Sequence, residues 1–182
     1  MSDLHIGIDN GQEGGLAALS PVAGLEPISA IPMPMKRVEG VPQMDIRKVV
    51  EWVHEIYPRG DCHVWLEKCP KHAMSQAAMR SQALNYGKMI AIFEARFPHM
   101  IVHRVRCGRE LQGWQRAMFG SFTGAESKQK ALELAESLWP AMKWPSNGNG
   151  KIRDGVVDAC LIGEFGRRRM AGEAMPTELV PR

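Results

Sequence analysis

The stretch HIGIDNGQEGGLAAL near the start of the chain places one carboxylate between an apolar run and a glycine-rich turn. Leu4–Asp9 is rich in apolar and β-branched residues, Asn and Gly dominate residues 10–15, and Leu16–Leu19 is apolar again. This pattern predicts a β-hairpin. Asp9 then has two interpretations: it caps the turn, as aspartate beside Asn-Gly commonly does, or the strand presents it as the first residue of an active site.

The rest of the chain alternates between strand and helix patterns. Pro27–Met33 predicts a third strand, followed by a polar loop to Pro42. Apolar residues at three- and four-residue steps predict a helix that begins at Asp45, a natural N-cap, and stops at Pro58. The further predicted elements are strands at His63–Glu67 and Met100–Val105, and helices at Met74–Phe97, Arg109–Phe119, Glu126–Leu138 and Arg153–Met170.

This order predicts a single mixed α/β domain over residues 1–172, because 182 residues suffice for one complete core and are short for two. Five strands and their helices suggest a mixed five-stranded sheet flanked by helices. Residues 173–182 are expected to form a loose tail. The sequence LVPR at 179–182 matches the remnant of a thrombin cleavage site, and we interpret it as left from a tag.

Composition narrows the setting of the protein. The four cysteines form no CxxC pair, and no apolar stretch approaches the roughly 20 residues of a membrane span, so a cytoplasmic protein is expected. The net charge of +3 is only mildly basic. Its cations are clustered, which fits either surface solvation or phosphate contacts with nucleic acid. The clusters are Arg104, Arg106 and Arg109; Lys128 and Lys130; and Arg167 to Arg169.

Four acidic residues stand at predicted element ends. Asp9 ends the first strand, Glu67 ends the fourth, and Asp154 and Asp158 lie one turn apart on the last helix. Clustered carboxylates suit Mg²⁺ or Mn²⁺, and a pair of such ions about 4 Å apart supports phosphodiester hydrolysis. Taken singly, Asp9 is also explained as a turn cap, Glu67 by pairing with Lys68, and Asp154 by the helix dipole.

With these residues located, the chain resembles the RuvC-type Holliday junction resolvases, nearest to their phage and prophage branch. IGIDNGQEGGLAAL resembles the first-strand motif of that family, VWLEKCP the fourth-strand motif, and DGVVDACLIGEFGRR the closing helix, which is the most specific match. The resemblance implies a ribonuclease-H-like fold and a metal-dependent endonuclease that cuts branched DNA. It also implies Mg²⁺ as cofactor, with Mn²⁺ as a substitute, and a symmetric homodimer.

The resemblance also implies roles for particular residues. Asp9, Glu67 and Asp158 match the three metal-binding acids. Asp154 falls at the position of a fourth acid or a histidine, although its spacing from Asp158 is one residue longer than in the bacterial cellular enzymes. Lys128 matches the active-site lysine, with Lys130 as the alternative. DNA contacts are expected from Arg104, Arg106, Arg109, Lys128, Lys130 and Arg167 to Arg169.

Several alternatives compete with this interpretation. Sugar kinases and actin-like ATPases share a glycine-flanked aspartate, but they need two large domains for which this chain lacks room. A ribosomal-RNA maturation nuclease of the same fold shares the first motif. A non-catalytic junction-binding protein is the third possibility, and the presence of all four acids argues against it. Trp114 and Phe119 are expected either to stack on opened bases or, preferably, to pack in the core.

Overall fold

The computed structural model describes residues 3–57, 60–69, 76–107 and 113–176, with only the backbone of Ala77. The predicted role of Arg109, the helix stop at Pro58 and the interpretation of residues 179–182 lie outside these ranges. The strands are β1 (Leu4–Asp9), β2 (Gly15–Leu19), β3 (Ser29–Pro32), β4 (Met35–Val38), β5 (Val41–Met44), β6 (Cys62–Glu67) and β7 (Ile101–Val105). The helices are α1 (Ile46–Ile56), α2 (Gln76–Arg96), α3 (Trp114–Phe119), α4 (Ser127–Leu138) and α5 (Asp154–Ala171).

Five strands form one sheet in the order β3-β2-β1-β6-β7. β6 runs parallel to both β1 and β7, and β2 is antiparallel to both of its neighbours. The expected mixed five-stranded sheet with flanking helices is therefore confirmed. Because Ile8 pairs with Leu66, the following residues, Asp9 and Glu67, end neighbouring strands at the same edge of the sheet.

The segment predicted as a polar loop before Pro42 is instead a separate two-stranded hairpin, β4–β5. Val38 pairs with Val41 across a two-residue turn, in which Glu39 and Gly40 both have positive φ, 51° and 79°. This is the backbone that a tight hairpin turn requires. The prediction of a loop failed because Pro34 and Pro42 are unfavourable in the interior of a sheet. In a two-stranded hairpin, however, both strands are edge strands, and Pro42 is tolerated there.

The helices cover the two faces of the sheet. One core, which includes Ile8, packs α1 and α2 on one face, and the other, which includes Trp65, packs α3, α4 and α5 on the opposite face. α2 is continuous through Gly87, and its Leu84 is 55 % exposed. In the described ranges, no helix combines the length and the apolar character needed to cross a membrane.

Helix α5 lies unusually close to the sheet because glycines remove the side chains between them. A Cβ at Gly7 on β1 would overlap the carbonyl oxygen of Ala159 and the backbone of Gly163, and a Cβ at Gly166 would overlap the indole of Trp65. The backbones of β1 and α5 are thus in direct contact. This contact fixes the first turns of α5, with Asp154 and Asp158, beside the edge at which β1 ends.

Candidate active site

A cavity of about 720 Å³ opens at the edge where β1 ends. The glycine turn after β1, one side of α2, the loop before α5 and the first turns of α5 enclose it. Four of the sequence-predicted site residues line it: Asp9, Lys128, Asp154 and Asp158. The fifth, Glu67, is half-buried at the end of the adjacent strand and does not line the cavity.

Asp9 satisfies both interpretations of its position. The backbone N–H of Gly11 donates a 2.9 Å hydrogen bond to Asp9 Oδ1, so the carboxylate does cap the turn. The same side chain also lines the cavity. Burial raises the pKa of Asp9, while the Gly11 hydrogen bond and the charge of Lys128 oppose that rise. The turn therefore orients the carboxylate and leaves it facing the cavity.

Glu67 is held from several sides. The indole Nε1 of Trp114 donates a 2.7 Å hydrogen bond to Glu67 Oε1. The side-chain amide of Asn10 donates to the Glu67 carbonyl oxygen at 2.5 Å, and Asn85 donates to the Asn10 carbonyl oxygen at 3.2 Å. Burial raises the pKa of Glu67 well above its usual value, and the charges of Asp9 and Asp158 raise it further. The indole hydrogen bond favours the ionised form and lowers this pKa.

Asp158 lies one turn into α5 and faces the same cavity. Burial raises its pKa well above the usual value, and the negative charges of Asp9 and Asp154 add to the rise, whereas Lys128 opposes it. Asp9 therefore acts electrostatically on both Glu67 and Asp158. Three acids from β1, β6 and α5 form one group of mutually repelling carboxylates, and we call Asp9, Glu67 and Asp158 the carboxylate group.

Two lysines at one side of the cavity contact the carboxylate of Asp154. Its Oδ2 accepts a 2.5 Å hydrogen bond from Lys128 Nζ and lies 3.6 Å from Lys151 Nζ. Contact with Asp154 raises the pKa of Lys128. Lys130 instead donates to the Ser121 carbonyl oxygen at 2.8 Å and does not line the cavity. Between the two lysines that the sequence left open, the geometry therefore favours Lys128.

The glycines of the turn allow the start of α5 to lie directly against it. A Cβ at Gly14 would overlap the Asp9 carbonyl oxygen, and a Cβ at Gly155 would overlap the carbonyl oxygen of Glu13. Gly14 and Gly155 also form a parallel bridge. The structure shows that they admit the start of α5, which brings Asp158 to Asp9.

The carboxylate group offers oxygen donors from three elements, and such donors are the kind that a divalent metal needs. Within residues 3–57, 60–69, 76–107 and 113–176, no group of three or more His, Cys, Asp or Glu side chains is arranged to hold one metal ion. The chemistry of the carboxylate group nevertheless fits a hard cation, because Mg²⁺ prefers oxygen ligands. Mutual repulsion also raises the pKa of Glu67 and Asp158, and a bound cation would relieve it.

Two predicted DNA contacts require correction. The guanidinium of Arg167 is 2 % exposed and donates to both Glu164 and Glu173 at 2.7–2.9 Å. Arg168 donates to Glu164 at 2.7 Å and to the Ala174 carbonyl oxygen at 2.9 Å, with 13 % of its side chain exposed. The guanidinium of Arg167 is buried and paired with two glutamates, so it cannot contact a phosphate. Arg104 and Arg106, in contrast, are exposed.

Sequence reasoning missed several residues around the site. Trp114 is fully buried, which confirms its core packing, but its hydrogen bond to Glu67 was not foreseen. Lys151 and Arg153 line the cavity, and their positions just before Asp154 were an available signal. The polar residues that α2 and the turn contribute had no sequence signal, and they are Gln12, Ser81 and Gln82.

Comparisons with known proteins give one kind of match. No protein-family model matches the chain, and no curated protein matches it by sequence. Among solved structures, the chain is similar to T. thermophilus RuvC in complex with a Holliday junction substrate, with a TM-score of 0.52 and 14 % identity. The match covers 97 % of this chain and 99 % of that one. With its mixed sheet order and flanking helices, this chain therefore has the ribonuclease-H-like fold that its sequence led us to expect.

Proposed function

We propose that the protein is a Mg²⁺-dependent endonuclease that cuts four-way junctions and other branched DNA by phosphodiester hydrolysis. The observation that carries the proposal is the carboxylate group, in which Asp9 raises the pKa of both Glu67 and Asp158 at one edge of the sheet. The fold adds support, since it is shared with a RuvC in complex with a Holliday junction substrate. Perturbed carboxylates beside a cavity are typical of catalytic sites.

The carboxylate group would hold the metal, with Asp9 as the central ligand. When bound, Mg²⁺ or Mn²⁺ would polarise the phosphodiester and lower the pKa of a water molecule. Asp9 is positioned for its role by the Gly11 N–H, and Glu67 by the indole of Trp114. Asp158 is positioned by the close contact of α5 with β1. These supports keep the carboxylates in place despite their repulsion.

Lys128 would supply positive charge to the scissile phosphate. Its ammonium group lies against Asp154, and Asp154 also contacts Lys151, so the cation is held at the wall of the cavity. A fixed cation stabilises the charge that develops on phosphate oxygens during hydrolysis. In this proposal Asp154 orients Lys128, which accounts for its departure from the spacing expected of a metal ligand.

Substrate and assembly follow from the same proposal. A four-way junction has two-fold related strands, and a symmetric homodimer with one site in each subunit matches paired nicks. The exposed cations Arg104, Arg106 and Lys128 would contact backbone phosphates, so binding should weaken steeply as salt rises. The sequence motif of α5 resembles that of phage and prophage resolvases, which supports a phage or prophage origin for this protein.

Cleavage of a panel of labelled nucleic acids tests the function. The panel holds a four-way junction, a flap, a bubble, a linear duplex and a structured RNA, each with Mg²⁺, with Mn²⁺ or with EDTA. We expect nicks in the branched DNA with either metal and none in EDTA, whereas binding persists in EDTA. Undiminished cleavage in EDTA would refute the metal mechanism. Cutting of the RNA alone would favour the RNA-maturation alternative, and binding without cutting would favour a non-catalytic junction protein.

A further inference from the structure

A second concave surface lies away from the active-site cavity, between β7 and the last turns of α5. It encloses about 670 Å³, and four of its lining residues are cations: Lys68, Arg104, Arg106 and Arg169. No Asp or Glu is among the described residues that line it. We call this surface the basic groove. A concave surface lined by one sign of charge attracts ligands of the opposite sign.

The floor of the groove is formed by stacked aromatic rings and is mostly closed to solvent. The indole of Trp65 stacks on the imidazole of His103, with ring centroids 4.0 Å apart and planes 11° apart. Trp65 is only 4 % exposed, because Gly166 of α5 lies against its other side. The indole is therefore unavailable for stacking on a splayed base. The floor supports the cations, and recognition would depend on their charge rather than on base contacts.

Two of the four cations, Lys68 and Arg169, lie next to or on elements that carry carboxylates of the active site. Lys68 directly follows Glu67 in the chain. Arg104 lies on β7, the edge strand of the sheet, where it pairs with Leu66 of β6. Arg169 lies three turns beyond Asp158 on α5. At 1.5 Å per residue, the separation of Arg169 from Asp158 along the helix axis is about 16 Å. Phosphates of one DNA strand advance by about 3.4 Å along a duplex, so this corresponds to about five steps.

We propose that the basic groove holds the backbone phosphates of one duplex arm, about five base pairs from the phosphodiester that lies in the active-site cavity. This inference rests on the proposed function, because that function places the phosphodiester in the cavity. It adds Lys68 and Arg169 to the DNA-contacting residues and gives the enzyme a minimum arm length. A duplex arm fits better than an acidic polypeptide because the groove is continuous, through Lys68, with the strand that carries Glu67.

The test compares arm lengths in a double variant of the groove. Arg104→Gln with Arg169→Gln removes two cations, and Arg47→Gln with Lys48→Gln on the exposed face of α1 removes the same charge elsewhere. Binding is measured in EDTA to two four-way junctions, whose arms are closed by hairpin caps either three or fifteen base pairs from the branch. Melting temperatures confirm that both variants fold.

With long arms, the affinity of the groove variant should depend less steeply on salt than that of wild type, by the amount that about two phosphate contacts contribute. Wild type should therefore lose about tenfold more affinity than the variant between 50 and 200 mM salt. With three-base-pair arms, the two proteins should bind alike, and the α1 control should follow wild type throughout. Equal losses with both arm lengths, or equal losses in both variants, would overturn the proposal. So would wild-type binding by the groove variant, the result expected if the groove takes an acidic polypeptide.

Cleavage in Mg²⁺ at saturating protein separates this proposal from the function on which it rests. If wild type cuts the junction and the groove variant binds long arms normally, the groove assignment alone is wrong. If wild type fails to cut but the arm-length effect is present, the groove binds DNA and the proposed activity is wrong.

Discussion

The two halves of α5 treat their acidic residues in opposite ways. In the last turns, Glu164 is 4 % exposed and both of its oxygens accept hydrogen bonds from Arg167, with Arg168 as a further donor. In the first turns, Asp158 lies among the charges of Asp9 and Asp154, and its pKa is raised. One helix therefore carries a compensated charge cluster and a repelling one.

The difference indicates that Glu164 has a structural role, whereas the charge of Asp158 is placed for function. A buried carboxylate with bidentate arginine partners is tolerated in the fold, and it destabilises the fold when a partner is removed. A carboxylate that neighbouring carboxylates make harder to ionise reduces stability when it is charged, so its position needs another explanation. In the proposed function, that explanation is a cation and a phosphodiester.

The largest expected effect is on activity, at the repelling end of α5. Asp158→Asn should lower the single-turnover cleavage rate of a four-way junction by about a thousandfold or more, because metal-held charge stabilisation supplies several kcal/mol. The fold should remain intact. Asp61→Asn, at an exposed position just before β6, is the matched control and should cleave normally. A loss of less than tenfold in Asp158→Asn would remove Asp158 from the site.

At the compensated end, the effect should fall on stability. Arg167→Met leaves Glu164 buried without its bidentate partner, which costs about 3–5 kcal/mol. In a domain of this size, each kcal/mol shifts Tm by about 2–4 °C. Thermal unfolding should show that loss, whereas cleavage per folded molecule at low temperature stays near wild type. Arg96→Met, at an exposed arginine of α2, should change neither. Normal stability with lost junction binding would instead restore Arg167 as a DNA contact.

A smaller effect is expected where the core supports the site. Trp114→Phe removes the donor to Glu67 Oε1, and hydrogen bonds to charged groups contribute about 1.5–3 kcal/mol. Cleavage at neutral pH should fall about tenfold to a hundredfold. Since this hydrogen bond lowers the pKa of Glu67, its loss should move the acidic limb of the pH–rate profile to higher pH. An unmoved limb would mean that Trp114 acts only through packing. Trp139→Phe, in the same core and outside the site, controls for packing.

The smallest effect is a gain in stability. The pKa of Asp158 is higher in the folded state than in the unfolded state, so the folded protein binds the proton more tightly. Stability therefore falls as pH rises through the interval between the two pKa values, and the penalty is complete above the folded-state value. Asp158→Asn should raise Tm by a few degrees at neutral pH in EDTA, and this gain should vanish at a pH below the ordinary aspartate pKa. A lower Tm at neutral pH would contradict the repulsion.

Much of the site was predictable because it follows from strand ends. Asp9 and Glu67 close apolar runs, and parallel neighbours in a sheet bring such residues to one edge. Asp158 followed from its motif on the last helix. Arg167 was misjudged because a run of three arginines suggests a surface, although Glu164 three residues earlier offered a partner on the same helix face.

Other features depend on tertiary contacts that the sequence does not reveal. The hydrogen bond from Trp114 to Glu67 joins residues 47 positions apart. The contact between the first turn and the backbone of α5 depends on Gly14 and Gly155, which lie far apart in the sequence. The β4–β5 hairpin depends on the positive φ of Glu39 beside Gly40, and glutamate is not a residue that favours this conformation.

The central claim is that the carboxylate group makes the protein a metal-dependent nuclease of branched DNA. Its most direct test is cleavage of an end-labelled four-way junction by wild type and by Asp9→Asn, with Mg²⁺ present and protein concentrations above the Kd of each. We expect wild type to place symmetric nicks in opposing strands, and Asp9→Asn to bind the junction without cutting it. Cleavage by Asp9→Asn at the wild-type rate would contradict the account.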